Sequence, residues 1–408
     1  MAAPAPGSFP PIDFEHYHRT ELPGLLAAGR GALVAKAARS LAPLALRIGA
    51  GSAFTYRPAA RGVEISAGDA GAETVIELDA GDWQGLVHEL EAAAGLLYAG
   101  RVRCARGKPM DFMAWEPALR ALYQGRPPYD AAEAANLRDR HGRPLDPETA
   151  FAPASDREDM AHFLRTAGYL FQRGVFDREE IQGFLAESEE LRAEARKGDK
   201  LSWWGKDGEG RELLCRVTRA ASKPHLVSLR SDPRIQALVE LSDLRLVPTL
   251  GEGNGVTVIW KQPGVAEGMG DLPWHRDCGL GGHAAMCPTL VCSVFLTEAS
   301  PETGELIFLP ASWQSACVQA VHAGDPDAPR GGAHFRARPG DVSIHYSDTL
   351  HAAPPPARSD LEHYRTSAIL SFARPDAYNH RGQQSYNAIL HERSDGQIEH
   401  LAVMAAKR

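Results

Sequence analysis

From Leu244 to Pro375 the chain is written as short apolar runs punctuated by glycine and proline: GVTVIWKQPG, TLVCSVFLTEA, GELIFLP, GDVSIHYSD and YRTSAILSFARP. Runs of this length, rich in β-branched and aromatic residues and bounded by turn formers, read as strands. Several in succession make a barrel or a two-sheet sandwich. Just upstream, AHFLRTAGYLFQRGVFDREEIQGFLAESEELRAEARKG predicts a helix, a short strand at GYLFQRGV and a second amphipathic helix. That second helix is opened by Asp177 with Glu180 three positions later, the spacing of a capping box.

The sharpest change of composition falls at RDRHGRPLDPETAFAPASDRED, where charge, proline and small residues replace apolar periodicity. With 408 residues available, two domains are expected: residues 1–137, a linker over 138–159, and residues 160–408. In the first, SAFTYRP and GVEISAG alternate like a hairpin, and ETVIELDAGDW reads as a third strand running into a helix N-cap at Asp79 or Asp82. WQGLVHELEAAAGLLYAG and DFMAWEPALRALYQG carry helical spacing on either side of the strand-like GRVRCARG. This half is a small mixed α/β domain. Over residues 20–126 its order of elements resembles the sterol-carrier-protein family of lipid-binding domains. The resemblance implies a tunnel for a fatty or sterol-like ligand between sheet and helices, walled in part by Met110, Phe112, Met113 and Trp115. The plain alternative is that such an aromatic and methionine stripe fills a core.

Composition narrows the function classes. The 44 Lys+Arg against 52 Asp+Glu give a formal charge of -8 without a block of one sign, which argues against a phosphate-backbone partner, so no nucleic acid is expected. Six cysteines contain no C-x-x-C pair, against a zinc ribbon or redox dithiol, and free thiols are expected. The opening MAAPAPGSFPPIDFEHYHRT is unlike a secretory leader. The greasiest stretch is broken by Arg30, Lys36, Arg39 and Arg47, so no integral membrane association and a cytoplasmic location are expected.

Chemistry enters at PWHRDCGL. In an extended segment residues i and i+2 share a face, so His275 and Asp277 can aim at one point. Downstream, GDVSIHYSDTLHAAPP is a strand, a turn and then His351, placed to supply a third group from a later strand. Two imidazoles and one carboxylate on one face of a metal leave three positions open, the arrangement of non-haem iron(II) oxygenases. Further on, YRTSAIL sets Arg365 and Ser367 on one strand face, a guanidinium and a hydroxyl suited to the far carboxylate of 2-oxoglutarate. His345, mid-strand, reads as a residue of the wall or one supporting the ligands. His283, His322 and His334 read as surface histidines, and Cys278 as a small packing residue.

Residues 155–375 resemble the phytanoyl-CoA dioxygenase family in the order of their motifs: the helical opening, PWHRD, TGELIFLPASW and GDVSIHYSDTLHAAPP. Two departures stand in the middle segment, where Ala311 and Trp313 replace a glycine and a histidine. Between His351 and Arg365 lie Pro354, Pro355, Pro356 and a charged run, which makes Arg358 the alternative to Arg365. The resemblance implies an α+β chain in which the sterol-carrier-like α/β domain precedes a double-stranded β-helix, or jelly roll, with flanking helices. It implies Fe(II) held by His275, Asp277 and His351, 2-oxoglutarate as co-substrate, dioxygen as oxidant, and hydroxylation of an unactivated carbon. A carboxylate at 277 argues against halogenation, where that position is small. The substrate expected is a small hydrophobic or acyl-type molecule, because of the carrier-like half. The rival function is non-catalytic lipid or metabolite binding by that half. Trp203, Trp204, Arg211 and Arg216 either cover the site's entrance or form a packed crossover.

Overall fold

The computed structural model describes residues 9–98, 100–199, 201–218, 220, 222–249, 256–267, 272–277, 289–317, 328, 329 and 331–375. The expectations for Cys278, His283 and His322 fall outside them. Among the described residues no helix is long and apolar enough to cross a membrane.

The N-terminal half holds strands β1 (Leu44–Ile48), β2 (Ala53–Ala59), β3 (Gly62–Ala67), β4 (Thr74–Leu78) and β5 (Arg103–Arg106), in the order β3-β2-β1-β4-β5. The expected hairpin is β2 and β3, antiparallel from Phe54–Ala67 to Ala59–Gly62. Asp79 caps the helix Ala80–Val87, accepting from the Asp82 amide. The single helix expected over WQGLVHELEAAAGLLYAG is instead two, Ala80–Val87 and Ala93–Tyr98. The break is at Glu89, which takes a left-handed φ of 59°, and its carboxylate is bound by Arg120 and Arg126. The long helix Pro109–Gln124 buries Phe112, Met113 and Trp115 completely, with Met110 partly buried at the margin of the same core.

The C-terminal half contains β6 (Ala150–Phe151), β7 (Tyr169–Gln172), β8 (Ser202–Asp207), β9 (Glu212–Val217), β10 (Val247–Pro248), β11 (Val256–Trp260), β12 (Val265–Glu267), β13 (Leu272–His275) and β14 (Leu290–Phe295). It continues with β15 (Ile307–Phe308), β16 (Ala333–His334), β17 (Val342–Tyr346), β18 (His351–Ala353) and β19 (Thr366–Ala373). A large sheet runs β12-β8-β9-β11-β19-β14-β17-β7-β6, with β10 beside β19, and a small sheet runs β13-β18-β15-β16. The two face each other through aromatic contacts: Phe308 stacks on Tyr169 at 4.8 Å and Phe335 on Phe171 at 4.7 Å. The other face of the large sheet carries Val258, Leu290, Cys292, Val294, Ile344, Leu370 and Phe372, which share a core with helical residues such as Leu226, Ile235 and Leu238. The arrangement is mixed α+β with two opposed sheets, consistent with a jelly roll. The helix Arg178–Glu194 opens with the capping box expected from Asp177 and Glu180.

Residues 138–159, read from composition as a linker, are tied to the barrel. Ala150 and Phe151 pair in parallel with β7, Phe151 is buried in the barrel core, the Tyr169 hydroxyl donates to the Pro147 carbonyl at 2.8 Å, and within the stretch Arg140 binds Asp156, Glu158 and Asp159. The two halves also interlock. Trp203, on β8, is buried within the N-terminal core, with the Arg216 guanidinium 4.4 Å over its ring. For these two residues the packed crossover is the arrangement found. Arg211 lies on the β8–β9 turn, exposed and paired with Asp207 and Glu209, while Trp204 packs against the barrel core. Beyond the helix Pro109–Gln124, the Tyr129 amide donates to the Ala316 carbonyl and the Ala316 amide to the Pro127 carbonyl. Tyr129 thereby covers Trp274, Ile307, Leu350 and Ala352, the outer face of the small sheet.

Candidate metal centre

The small sheet brings two histidines side by side. His275 ends β13, His351 begins β18, and the two are register partners, their rings 4.2 Å apart. Alternation along each strand turns Trp274, Leu350 and Ala352 outward and the histidines inward. Asp277, two positions on from His275, points the same way as PWHRD implied. Its Oδ1 lies 3.8 Å from His275 Nε2 and 3.8 Å from His351 Nε2. Among the described residues His275, Asp277 and His351 form a group able to hold a metal ion, with ligand atoms all within 4.8 Å of one another.

The surroundings prepare these groups for a cation. The His351 Nδ1–H donates to the Thr349 carbonyl at 2.9 Å, which leaves Nε2 with its lone pair turned inward. Thr349 is itself fixed, its hydroxyl donating to the Gly168 carbonyl at 2.7 Å. Gly168 has φ of +93°, and a Cβ there would meet Trp313 and Thr349, so only glycine fits the turn. Burial pushes the His351 pKa down to about 4, helped by His345 and Arg365 and opposed by Asp277. The ring is therefore neutral at pH 7. At Asp277 confinement works to raise the pKa, but His351, then His345 and His275, outweigh it and hold the carboxyl well below the usual carboxylate range. Neutral imidazoles and an ionised carboxylate are the donor set a divalent first-row metal requires.

Arg365 and Ser367 stand on the large sheet facing this group. The Arg365 guanidinium is 6% exposed, donates from one terminal nitrogen to the Glu305 carbonyl at 2.7 Å, and has no carboxylate in ion-pair range among the described residues. Among the described residues its Nε and the Ser367 hydroxyl are buried without a partner. Burial lowers the Arg365 pKa to about 10, so the group stays charged. A buried cation without a counter-charge is costly, and the two open donors fit a carboxylate arriving from outside the chain. Arg358, the alternative, is exposed and paired with Asp360 at 2.7 Å.

Two cations escaped the sequence reading. Arg276, between His275 and Asp277, is buried outward and donates to the Ser315 carbonyl at 2.7 Å, so it anchors the ligand strand from behind. The same period-two argument that turned its neighbours inward could have turned it outward. Lys261, buried where β11 ends, donates its ammonium to the Ala353 carbonyl and so ties the large sheet to β18; nothing local in the sequence marks it. His334 is at the surface as expected, beside Glu305 at 2.9 Å. The two departures of the middle segment are structural. Ala311 adopts the left-handed φ of 61° for which glycine is suited. Trp313 stacks on Tyr346 at 4.3 Å and donates its indole N–H to the Arg165 carbonyl.

Residues 164–360 match the family model described as phytanoyl-CoA dioxygenase (PhyH); Arg365 and Ser367 lie just past the matched stretch. Among curated proteins none matches the sequence. Solved structures similar to the chain include a non-haem alpha ketoglutarate dependent carbocyclase, SnoK, from nogalamycin biosynthesis, at 22% identity over 55% of this chain and 86% of that one, TM-score 0.44. EctD from S. alaskensis, with 2-oxoglutarate and 5-hydroxyectoine, shares 19% identity over 58% of this chain and 83% of its own, TM-score 0.43. The non-haem alpha ketoglutarate dependent epimerase SnoN, also from nogalamycin biosynthesis, shares 22% over 54% and 86%, TM-score 0.41.

Proposed function

From the premise that residues 164–360 are a phytanoyl-CoA dioxygenase domain, part of an iron- and 2-oxoglutarate-dependent oxygenase, we propose that the chain hydroxylates an unactivated carbon of a small hydrophobic or acyl-type molecule. His275, Asp277 and His351 would hold the iron, and Arg365 with Ser367 the distal carboxylate of 2-oxoglutarate. The observation that carries this is the pairing of a compact His-Asp-His group with a buried arginine and serine that each leave one polar atom, Arg365 Nε and the Ser367 hydroxyl, without a partner among the described residues.

Iron, when bound, supplies the activation of dioxygen coupled to oxidative decarboxylation of 2-oxoglutarate to succinate. The chain's own residues do the rest. Thr349 fixes the His351 tautomer, Arg276 holds the ligand strand against Ser315, and burial keeps the His351 ring neutral down to mildly acidic pH. Arg365 and Ser367 set the position of the co-substrate by charge and hydrogen bonding. Phe308, stacked on Tyr169 and 5.2 Å from the His345 ring, fills the space behind the histidines and keeps water from it.

The hydrophobic substrate is supported by the carrier-like order of elements in the N-terminal half and by its docking against the barrel. The complete burial of Phe112, Met113 and Trp115 speaks for core packing at those three positions. The test is to incubate the full-length iron-loaded protein aerobically with 2-oxoglutarate and a panel of fatty, isoprenoid and acyl-thioester compounds. A product one oxygen atom heavier, formed in step with succinate, is expected. Turnover confined to polar amino-acid derivatives would refute the substrate class while leaving the reaction class standing.

A further inference from the structure

We propose that His345 is a positioning residue that makes Asp277 a one-oxygen ligand. This rests on the reading of His275, Asp277 and His351 as the metal group. The two oxygens of Asp277 face different neighbours. Oδ1 is equidistant from the ligand nitrogens of His275 and His351, 3.8 Å from each, while Oδ2 lies 3.3 Å from His345 Nε2. A nitrogen at that distance donates its hydrogen to the carboxylate. One oxygen thus faces the two ligand imidazoles, and the other faces His345, whose ring lies 4.5 Å from that of His351.

His345 is well placed to impose this. It sits within β17, one residue before its end, paired on one side with Val291 and on the other with Tyr169, 2% exposed and with its ring 5.2 Å from Phe308. Asp277, by contrast, follows the end of β13, and its side chain is about one-third open. A rigid sheet residue therefore restrains a carboxylate at the end of a strand. The consequence is a coordination count. Two imidazoles and a single carboxylate oxygen leave three positions of an octahedron, enough for a two-point 2-oxo acid and dioxygen. A carboxylate binding through both oxygens would leave two. Hydrogen bonds of this kind to a ligand's free atom affect metal affinity by 10- to 100-fold in other metal sites.

The test uses the full-length protein and cobalt(II) alone as the probe, titrated anaerobically against the parent, His345→Phe, His345→Gln, Asp277→Ala and His351→Ala, with thermal unfolding of each as a check on folding. His345→Phe should weaken cobalt binding by roughly 10- to 100-fold and change its visible absorption. His345→Gln, whose amide can still donate to Oδ2, should recover most of the affinity and the parent spectrum. Parent-like affinity and spectrum in His345→Phe would overturn the proposal. So would a folded His345→Gln as weak as His345→Phe, and so would loss of binding in His345→Phe as complete as in His351→Ala, which would make His345 a ligand. If instead the parent and Asp277→Ala bind cobalt equally, the metal group itself is wrongly chosen, a different failure.

Discussion

Two buried histidine clusters, one in each half, differ in whether their hydrogen bonds close. In the N-terminal half His18 takes the Phe14 carbonyl with Nδ1 at 2.6 Å and the Tyr56 hydroxyl with Nε2. The Tyr56 hydroxyl in turn meets that of Tyr123 at 2.6 Å. Phe14, Tyr17, Phe54 and Trp83 pack around them. In the barrel, His345 Nδ1, Arg365 Nε and the Ser367 hydroxyl are buried and have no partner among the described residues. Open buried atoms cost about 1–3 kcal/mol each if left unmet; they also occur singly in the N-terminal half, at Arg47 Nε and Gln124 Oε1, so it is their convergence beside the His-Asp-His group that points to a place where something else binds. The contrast is what separates a core histidine from a functional one in this chain.

The comparison can be broken at several points. The largest effect is expected at the open cluster: His275→Ala, Asp277→Ala or His351→Ala should each abolish iron-dependent succinate production, because two remaining ligands hold iron(II) poorly. An assay of succinate after anaerobic iron loading reads this directly. Next, Arg365→Ala should raise the 2-oxoglutarate concentration needed for half-maximal turnover by about 30- to 150-fold, the equivalent of roughly 2–3 kcal/mol for a charge-assisted contact. Arg358→Ala, at an exposed pair, should leave it unchanged, and the opposite ranking would move the role to the proline-rich loop. At the closed cluster, Tyr56→Phe strands both His18 and Tyr123 and should cost about 1–3 kcal/mol in denaturant unfolding without altering iron affinity. A loss of iron binding in that variant would erase the distinction between the clusters.

A pH effect of comparable or smaller size sharpens the same contrast. Burial lowers the His18 pKa to about 4, so between about pH 6.5 and pH 4 the unfolded chain takes up a proton that the folded chain refuses. Stability should therefore be unaffected by this group above pH 6.5 and fall by up to about 3 kcal/mol as the pH drops to 4. His18→Gln should flatten that part of the profile. An unchanged slope would mean that other groups carry the acid sensitivity.

The triad was legible in the sequence because it is made of local rules. His275 and Asp277 are two apart in an extended segment, and His351 follows a strand with a turn of its own; the folded chain brings the three together as those rules require. The hairpin, the Asp79 cap and the Asp177 capping box were legible for the same reason. What escaped depends on partners distant in sequence. Glu89 splits a periodic helix because Arg120 and Arg126 lie 31 and 37 positions on. The stretch 138–159 has the composition of a linker, yet a two-residue strand and the Tyr169 hydroxyl on the Pro147 carbonyl dock it. Lys261 looks ordinary in its segment and acquires meaning only where the two sheets meet, whereas for Trp203 the sequence left two readings open and the N-terminal core decided between them.

The account rests most heavily on the open cluster being completed by iron and 2-oxoglutarate. Anaerobic addition of both to the full-length protein, followed by admission of air, tests that in one experiment. The expected result is a weak visible absorption band on mixing and succinate after air, both lost in His351→Ala and both recovered in Arg365→Ala only at higher 2-oxoglutarate. A parent protein that binds iron(II) yet gives neither band nor succinate at saturating 2-oxoglutarate would contradict it.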